Sequence, residues 1–306
     1  MKKIISLSLV AILLFAFAVG CTTDNGNGGD TTPPENNGGT SAPPANSGSN
    51  FDTSEIINVV SRENGSGTRG AFVEIVGVEV DGNDAIYDEA VIQNSTNGIM
   101  TTVAGDKYGI GYISLGSLND TVTSVNIDGV EATADNVKSG DYKIARPFNI
   151  AYQEGLSELG QDFVDFIFSA EGQAIVEDNG LVSVGESETY SASGLSGTLV
   201  VGGSTSVTPV MEKLKEAYEA LNSGVTIEIQ STGSSAGMTA AIEGSADIGM
   251  ASRDLKDSEK ETLTHAAMAI DGIAVIVNNE NTINDLTMDE VQGIYLGDIT
   301  TWSEVE

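Results

Sequence analysis

Two arginines flank a run of glycine and hydroxyl residues in the segment SRENGSGTRGAF, residues 61–72. Arginine is scarce in this chain of 306 residues, which has four arginines and a formal net charge of −32. The guanidinium groups of Arg62 and Arg69 offer paired N–H donors to oxyanions, and Ser66 and Thr68 add hydroxyl donors. The segment therefore predicts one half of a binding site for a small oxyanion.

Two further segments share this design, in which a short apolar strand ends in glycine or hydroxyl residues and a helical pattern follows. GTLVVGGSTSVTPVMEKL contains Ser204, Thr205 and Ser206, and VTIEIQSTGSSAGMTAAIEG contains Ser234 and Ser235. The first N–H groups of a helix have no partner within it and carry partial positive charge, so such turns suit anions. Serine and threonine are also good helix caps, and each turn taken alone has that second interpretation.

The sequence offers little for catalysis. It has one histidine, His265, with no hydroxyl motif beside it, and it has no G-x-x-x-x-G-K-[ST] phosphate loop. Cys21 is the only cysteine, so there is no zinc-ligand spacing. The pI near 4.1 argues against nucleic acid as a partner. We therefore predict a binding protein that is not an enzyme and uses no cofactor and no metal.

The N-terminal segment resembles an export signal. Two lysines precede an apolar run over residues 4–19, and Cys21 follows shortly after it. The sequence AVGC resembles the lipobox of bacterial lipoproteins, in which the cysteine becomes the lipidated N-terminus after cleavage. We predict a signal peptide over residues 1–20, lipidation of Cys21 and a flexible polar tether over residues 21–50. An unlipidated secreted protein with a free thiol is the alternative.

From Phe51 onward, short apolar strands alternate with helical patterns. Six segments are predicted as strands, namely IINVVS, YGIGYIS, GTLVVGG, VTIEIQS, ADIGMAS and GIAVIVN. Helices are predicted over residues 208–222, 159–180 and 286–297, the second of them continuous. This alternation predicts an α/β fold with mainly parallel sheets, interrupted by one polar linker over residues 184–197.

These motifs resemble a known family, the phosphate-binding lipoproteins of bacterial ABC importers, which are PstS-like type II periplasmic binding proteins. The resemblance covers nearly all of the chain from Ile56 to Val305 and rests on the segments GGSTSVTP, QSTGSSAGMTAAIEGSADIGMASRDL, DGIAVIVN, SRENGSGTRGAF and NSTNGIMTTVAGDKYGIGYISLGSL. It implies a two-lobed α/β fold with the ligand in the cleft between the lobes. It also implies inorganic phosphate as the ligand, an ABC permease as the partner and a lipid-anchored position on the extracytoplasmic face of the cell membrane.

The order of the segments differs from that of the family. Family members usually begin with the GTLVVGG strand and reach SRENGSGTRGAF later, whereas here residues 51 to about 185 come first and residues 197–306 follow. Each half occurs once, so the order indicates a circular permutation in which the linker joins the old termini; a truncated tandem copy is the alternative. The resemblance then implies one lobe of residues 51–143 plus 276–306 and another of residues 144–275.

The expected ligand contacts come from both lobes. They are Thr205, Ser206, Ser234, Ser252, Arg253, Arg62, Ser66, Gly67 and Thr68. Some family members carry an aspartate at the position of Ser252, where it accepts the proton of monohydrogen phosphate and so rejects sulfate. A serine hydroxyl can also donate, so discrimination against sulfate is less secure here, and Asp254 and Asp271 are candidates for the missing acceptor. For Arg253, a structural salt bridge is the alternative role.

Two alternatives to a phosphate carrier follow from the same residues. A binding protein of this build could take another tetrahedral oxyanion, such as sulfate or molybdate. A protein of a different class would sense anions at the cell surface and never meet a permease. Competition binding separates the first alternative from phosphate capture.

Overall fold

The computed structural model describes residues 51–185 and 188–305. The predicted signal peptide, Cys21 and the tether lie outside the described residues, as do two residues of the predicted linker, Glu186 and Ser187. Among the helices of the two described ranges, none has both the length and the apolar character required to cross a membrane.

Strands make up the centre of the described part. They are β1 (Asn58–Arg62), β2 (Glu79–Val80), β3 (Asn83–Asp84), β4 (Val91–Gln93), β5 (Gly109–Ser114), β6 (Thr123–Ser124), β7 (Asn126–Ile127), β8 (Ala145–Tyr152), β9 (Ser196–Gly203), β10 (Gly224–Ser231), β11 (Ile248–Ala251), β12 (Thr264–Val277) and β13 (Asp285–Leu286). The six strands predicted from the sequence correspond to β1, β5, β9, β10, β11 and β12.

Helices flank the strands. They are α1 (Gly67–Val76), α2 (Thr96–Gly105), α3 (Ala134–Ser139), α4 (Glu158–Ile167), α5 (Ala170–Asp178), α6 (Thr208–Leu221), α7 (Ser234–Glu243), α8 (Asp257–Lys260) and α9 (Met288–Leu296). Short 3₁₀ helices span Leu115–Ser117 and Trp302–Glu304.

One sheet of nine strands contains two parallel blocks, in the order β10-β9-β11-β8-β12-β5-β1-β4, with β6 also paired to β12. Strands β10, β9 and β11 are parallel to one another, and so are β5, β1 and β4. Strands β8 and β12 lie between the two blocks and are antiparallel to each other and to their outer neighbours. The sequence therefore predicted the parallel blocks but not the antiparallel pair that joins them.

Buried apolar side chains form two large clusters, one for each block. The buried members of the first cluster lie at residues 57–144 and 273–302, and those of the second lie at residues 148–269. We call the parts of the molecule around these clusters the first and second lobes. Strands β8 and β12 are shared by the two lobes, because each continues from one cluster into the other.

The helix predicted over residues 159–180 is two helices, α4 and α5, and the expectation of one continuous helix is wrong. Ser169 ends the first and caps the second: its hydroxyl donates to Phe166 O over 2.7 Å and accepts from Gly172 N over 3.1 Å. A side-chain hydroxyl that bonds locally to the backbone competes with helix continuation, and a helix start is where such bonds are favoured. Periodicity alone did not reveal this break, because apolar residues of both helices pack into the same buried cluster.

Candidate functional site

Four helices begin shortly after the carboxyl end of a parallel strand and carry hydroxyl residues at that point. Helix α1 follows β1, α2 follows β4, α6 follows β9 and α7 follows β10. Ser66 and Ser95 cap the first two, with hydroxyl groups that accept from Arg69 N over 3.3 Å and Gly98 N over 3.1 Å. Ligands of open α/β sheets bind at the carboxyl ends of strands, and helix N-termini there favour anions.

Hydroxyl groups from these turns and from Ser252, which follows β11, meet in one buried group that we call the hydroxyl cluster. Its members are Thr68, Thr96, Ser204, Ser206, Ser234 and Ser252. Thr68 Oγ1 lies 2.8 Å from Ser206 Oγ and 3.2 Å from Ser252 Oγ. Ser204 donates to Ser252 Oγ over 2.9 Å, and Thr96 Oγ1 lies 3.0 Å from Ser206 Oγ. The Ser234 hydroxyl accepts from Ser252 N over 3.2 Å.

The hydroxyl cluster joins the two lobes. Thr68 and Thr96 begin helices that pack in the first lobe, whereas Ser206 and Ser252 follow strands of the second. A backbone hydrogen bond from Ser235 N to Gly65 O, of 3.1 Å, also crosses between them. The lobes therefore touch directly at this point, and the structure has a closed cleft.

Gly67 marks the tightest approach between α1 and the second lobe. A Cβ atom at this position would lie 2.4 Å from Ser234 Oγ and 2.8 Å from Ser252 Oγ. Both distances are shorter than carbon–oxygen van der Waals contact, so a larger residue would displace two hydroxyl groups of the cluster. Gly67, the second glycine of the G-S-G-T run, is therefore required because the lobes approach each other closely at this position.

Thr205 lies at the edge of the hydroxyl cluster, where its Oγ1 accepts from Thr96 N over 3.4 Å. A cavity of about 460 Å³ adjoins this contact and includes Met100 and Pro209 in its lining. A second cavity, of about 390 Å³, is lined by residues of both lobes that include Arg146. Crevices between the lobes thus lie next to the hydroxyl cluster.

Arg62 is buried at the end of β1 and is held by its neighbours. Its Nε and Nη2 donate to the Glu63 carboxylate over 2.8 and 2.9 Å, and its backbone N–H donates to Tyr112 Oη over 3.2 Å. Burial raises the pKa of Tyr112 to about 12, so its hydroxyl stays protonated at neutral pH. Arg69 donates to Arg62 O over 2.8 Å and pairs with Asp84, which makes Arg69 a support of this turn.

Arg146 and Asp271 form a buried ion pair beneath the hydroxyl cluster, on the two strands that join the lobes. Arg146 Nη2 donates to Thr68 Oγ1 over 3.3 Å, and Asp271 Oδ1 accepts from Gly116 N over 3.2 Å. Burial is the largest influence on both groups: it raises the pKa of the Asp271 carboxyl and lowers the pKa of the Arg146 guanidinium, although the pairing opposes each shift. Asp271 therefore faces Arg146 rather than the hydroxyl cluster.

Arg253 forms a fork with Glu259, in which Nη1 and Nη2 donate to the two carboxylate oxygens over 2.8 Å each. Burial would raise the pKa of Glu259, but the hydrogen bonds from Arg253 and from the Lys256 amide leave it below its ordinary value. Nη2 also lies 3.5 Å from Ser235 Oγ, beside the start of α7. The structure thus places Arg253 next to the hydroxyl cluster, in a salt bridge.

Two other residues singled out in the sequence lie outside the hydroxyl cluster. Asp254 is exposed, and His265 is exposed on β12. Within the described residues, no carboxylate or histidine is hydrogen-bonded to the hydroxyl cluster, and no group of three or more His, Cys, Asp and Glu side chains could hold a metal ion. A serine or threonine hydroxyl with no adjacent base is a weak nucleophile, so the arrangement favours anion binding over covalent chemistry.

The expected ligand contacts did not include three residues that the structure brings to the site, namely Thr96, Ser204 and Arg146. The sequence contains a pattern that could have identified each of them. Thr96 precedes a helix in NSTNGIM and Ser204 begins GGSTS, so both fit the hydroxyl-turn pattern. Arg146 interrupts the apolar strand ARPFNIAY, and a charge in a buried strand requires a partner.

Comparison with known proteins identifies the class to which this fold and site belong. A family model described as the PBP superfamily domain matches residues 49–171 and 188–306. The chain therefore belongs to the PBP superfamily, with the two-lobed type II fold that the sequence predicted.

Similar proteins are found in streptococci. The chain is 51% identical over 263 residues to phosphate-binding protein PstS 2 of Streptococcus pneumoniae, which covers 84% of this chain and 90% of that protein. It is 49% identical over 264 residues to phosphate-binding protein PstS 2 of Streptococcus agalactiae, with the same coverage. A crystal structure of a phosphate-binding protein of a phosphate ABC transporter from Streptococcus pneumoniae superposes with a TM-score of 0.67 at 51% identity, covering 82% of this chain and 100% of that chain.

These alignments extend over most of both chains, which indicates that the streptococcal relatives have their segments in the same order. Phosphate-binding protein PstS of Pseudomonas aeruginosa, by contrast, is 34% identical over 134 residues, or 39% of this chain and 42% of that protein. A partial match of this size is expected when only one half of a rearranged chain aligns in a single run. The circular permutation that the order of the segments indicates stays a prediction.

Proposed function

We propose that this chain is a solute-binding protein that captures inorganic phosphate outside the cytoplasm and delivers it to an ABC importer. The observation that carries the proposal is the convergence of hydroxyl groups and helix N-termini from both lobes on one buried point, to which the buried Arg146 is hydrogen-bonded. Hydroxyl groups, backbone N–H groups and guanidinium groups are all donors, as an oxyanion requires. The streptococcal relatives named as phosphate-binding proteins support phosphate as the anion.

We propose the following ligand set for phosphate. It consists of Arg62, Ser66, Gly67, Thr68 and Thr96 from the first lobe and Ser204, Thr205, Ser206, Ser234 and Ser252 from the second. Each hydroxyl that now bonds to another hydroxyl across the cleft would turn its donor toward a phosphate oxygen. Hydrogen bonds to a charged group contribute about 1.5–3 kcal/mol each, so several of them are sufficient for tight binding. Arg253 would support the start of α7 from its salt bridge with Glu259.

Capture of the ligand would take place by closure of the cleft. We propose that residues 51–143 plus 276–306 and residues 144–275 move as two bodies, with β8 and β12 as the hinge between them. An anion that contacts both bodies binds more tightly to the closed form than to the open form. This difference in binding free energy favours closure. The direct contact of Thr68 with Ser206 and Ser252 supports this assignment, because these residues belong to different bodies.

The N-terminal segment would hold the protein at the membrane. We propose that Cys21 is lipidated after removal of residues 1–20 and that residues 21–50 tether the folded part to the extracytoplasmic face of the cell membrane. A tether of this length leaves the binding protein free to reach the permease. The motifs AVGC and the polar composition of residues 21–50 support this arrangement.

Calorimetric titration with phosphate, in a background of excess sulfate, tests the proposal. We expect micromolar or tighter binding that survives sulfate, and loss of most of it in Thr68→Val, which removes a buried donor but little volume. Thr239→Val is the matched control, because its hydroxyl is exposed on α7 and bonds only to Ser235 O in the structure. Displacement of phosphate by sulfate would instead assign the site to another tetrahedral oxyanion.

A further inference from the structure

Arg146 lies on β8, one of the two strands that connect the lobes. It lies directly opposite Asp271 of β12, and the two side chains form an ion pair with 3% and 1% of their residues' surface exposed. Its Nη1 also donates to Gly272 O over 2.9 Å, and its guanidinium lies 5.0 Å from the centre of the Phe148 ring. The cation is therefore fixed in place by the two strands on which the hinge would turn.

The same guanidinium reaches both lobes at the floor of the hydroxyl cluster. Nη2 donates to Thr68 Oγ1 over 3.3 Å, in the first turn of α1, and Nε donates to Ser252 O over 3.4 Å, just beyond β11. Thr68 Oγ1 in turn lies within hydrogen-bond distance of Ser206 and Ser252. By accepting from Arg146, the Thr68 oxygen keeps its own proton free for a partner inside the cleft.

We propose that Arg146 is a positioning residue for the bound oxyanion, which orients the Thr68 hydroxyl toward the ligand and supplies positive charge from beneath the cluster. This inference rests on the proposed function. Asp271 sets how much of that charge the ligand experiences, because it is the counterion of Arg146. The site then responds to the charge of the ligand, and phosphate binds more tightly as a dianion than as a monoanion.

The composition of the hydroxyl cluster supports this reading. Its members hydrogen-bond to hydroxyls, backbone groups and Arg146, and among the described residues no carboxylate accepts a proton from them. Every hydroxyl can donate to a deprotonated oxygen, so a bound anion does not have to carry a proton. Attraction between Arg146 and the ligand therefore grows with each negative charge.

Other charged groups near Arg146 also contribute to the electrostatic potential at the site. Arg62 is a second buried cation close enough to disfavour the charged form of Arg146. The cavity that includes Arg146 in its lining also contains charged side chains of α1 and of the segment after β11, namely Glu74, Arg253, Asp254 and Lys256. Burial raises the pKa of Asp271, so its own titration has to be separated from that of the ligand.

The test compares phosphate affinity at pH 5.5, where the monoanion dominates, with that at pH 8.5, where the dianion dominates. The unsubstituted protein is expected to bind more tightly at the higher pH. In Arg146→Met the ratio of the two affinities is expected to fall by about tenfold, because one buried charge is lost at short range, and Arg146→Lys is expected to restore most of it. Lys138→Met is the control, because it removes one positive charge at an exposed position of α3.

Asp271→Asn provides the opposite change and removes the titrating carboxylate. It is expected to raise the affinity for the phosphate dianion severalfold. This measurement tests the inference even if Arg146→Met does not fold. A ratio that is unchanged in both Asp271→Asn and the Arg146 variants, whatever their stability, overturns the inference and leaves the proposed function intact. Absence of phosphate binding by the unsubstituted protein overturns both.

Discussion

At the scale of single residues, the site depends on small side chains at the contact between the lobes. The hydroxyl cluster uses serine and threonine, whose short side chains keep their oxygens close to the backbone N–H groups of α1, α2 and α7. Two of the four arginines are buried as well, each with a carboxylate partner: Arg62 with Glu63 and Arg146 with Asp271. A chain of net charge −32 can therefore present a surface of donors to an anion without a free cation in the cluster.

Gly67→Ala tests the requirement for a close approach at the site. The new methyl group would meet Ser234 Oγ at 2.4 Å and Ser252 Oγ at 2.8 Å, so it displaces two donors or prevents the lobes from closing. We expect the Kd for phosphate to rise by at least about tenfold, which corresponds to about 1.4 kcal/mol of binding free energy. Calorimetry gives the Kd, and urea denaturation of the ligand-free protein gives the stability.

Gly70→Ala in the same helix is the matched control. A Cβ atom there meets only Arg253 Cδ, at 3.9 Å, which is ordinary contact. Gly70→Ala raises helix propensity within α1 without a clash, so this variant is expected to be as stable as the unsubstituted protein or more stable, by up to about 1 kcal/mol. If the two variants bound phosphate equally well, Gly67 would not limit closure of the cleft.

At the scale of elements, the sequence predicted the strands and the hydroxyl-rich turns well. It did not predict the antiparallel pairing of β8 with β12 or the break between α4 and α5. Apolar runs bounded by glycine or serine identified β1, β5, β9, β10 and β11. Strands β5 and β11 are buried along their whole length, as continuous apolar runs predict, whereas β10 lies at the edge of the sheet and begins with alternating exposed and buried residues. The extent of β12 was underestimated. Residues 264–271 belong to the same strand but face the other lobe, and the pairing of β12 with β8 depends on contacts between distant parts of the chain. Arg146 and Asp271 were not predicted as partners for the same reason.

The junction between α4 and α5 offers a second prediction at this scale. A Cβ atom on Gly172 would lie 2.2 Å from Phe166 O and 2.6 Å from Ile167 O, and both are backbone atoms that cannot rotate away. We expect Gly172→Ala to lower the free energy of unfolding by about 1–3 kcal/mol, as overpacking generally does. Urea denaturation followed by circular dichroism measures the change.

Gly105→Ala is the control for the junction, because Gly105 ends α2 and a Cβ atom there meets no atom within 4 Å. That variant is expected to differ from the unsubstituted protein by less than about 1 kcal/mol. Phosphate affinity should stay the same in both variants, since neither residue lies near the hydroxyl cluster. Equal stability of the two variants would mean that α4 and α5 move apart without cost.

At the scale of the whole molecule, the ends of the described part lie next to each other. Ile57 N donates to Thr300 O over 2.8 Å, Ile56 forms a bridge with Thr301, and the rings of Phe51 and Trp302 are 5.8 Å apart. The linker that follows α5 packs against the second lobe, where Tyr190 Oη donates to the Asp162 carboxylate over 2.6 Å. Both features are expected if a fold with adjacent termini has been opened at one place and joined at another.

This geometry predicts that the order of the two halves can be reversed. A chain of residues 195–306, a short glycine-serine linker and residues 51–194 keeps the contacts of Tyr190 and closes the gap between Trp302 and Phe51. We expect it to bind phosphate with a Kd within about threefold of the original chain and a free energy of unfolding within about 2 kcal/mol, because connecting loops of similar length have similar closure entropy.

The control for the reversed chain opens the molecule within β5, between Gly111 and Tyr112. All residues of β5 are buried, and the strand pairs with both β1 and β12, so this cut removes the centre of the first lobe and is expected to abolish folding. Calorimetry with phosphate and circular dichroism compare the two rearranged chains. A reversed chain with native secondary structure that fails to bind phosphate would contradict the prediction, because the lobes would then depend on chain order to close around the ligand. Retained binding would show that the two lobes and their hinge, rather than the positions of the termini, determine the site.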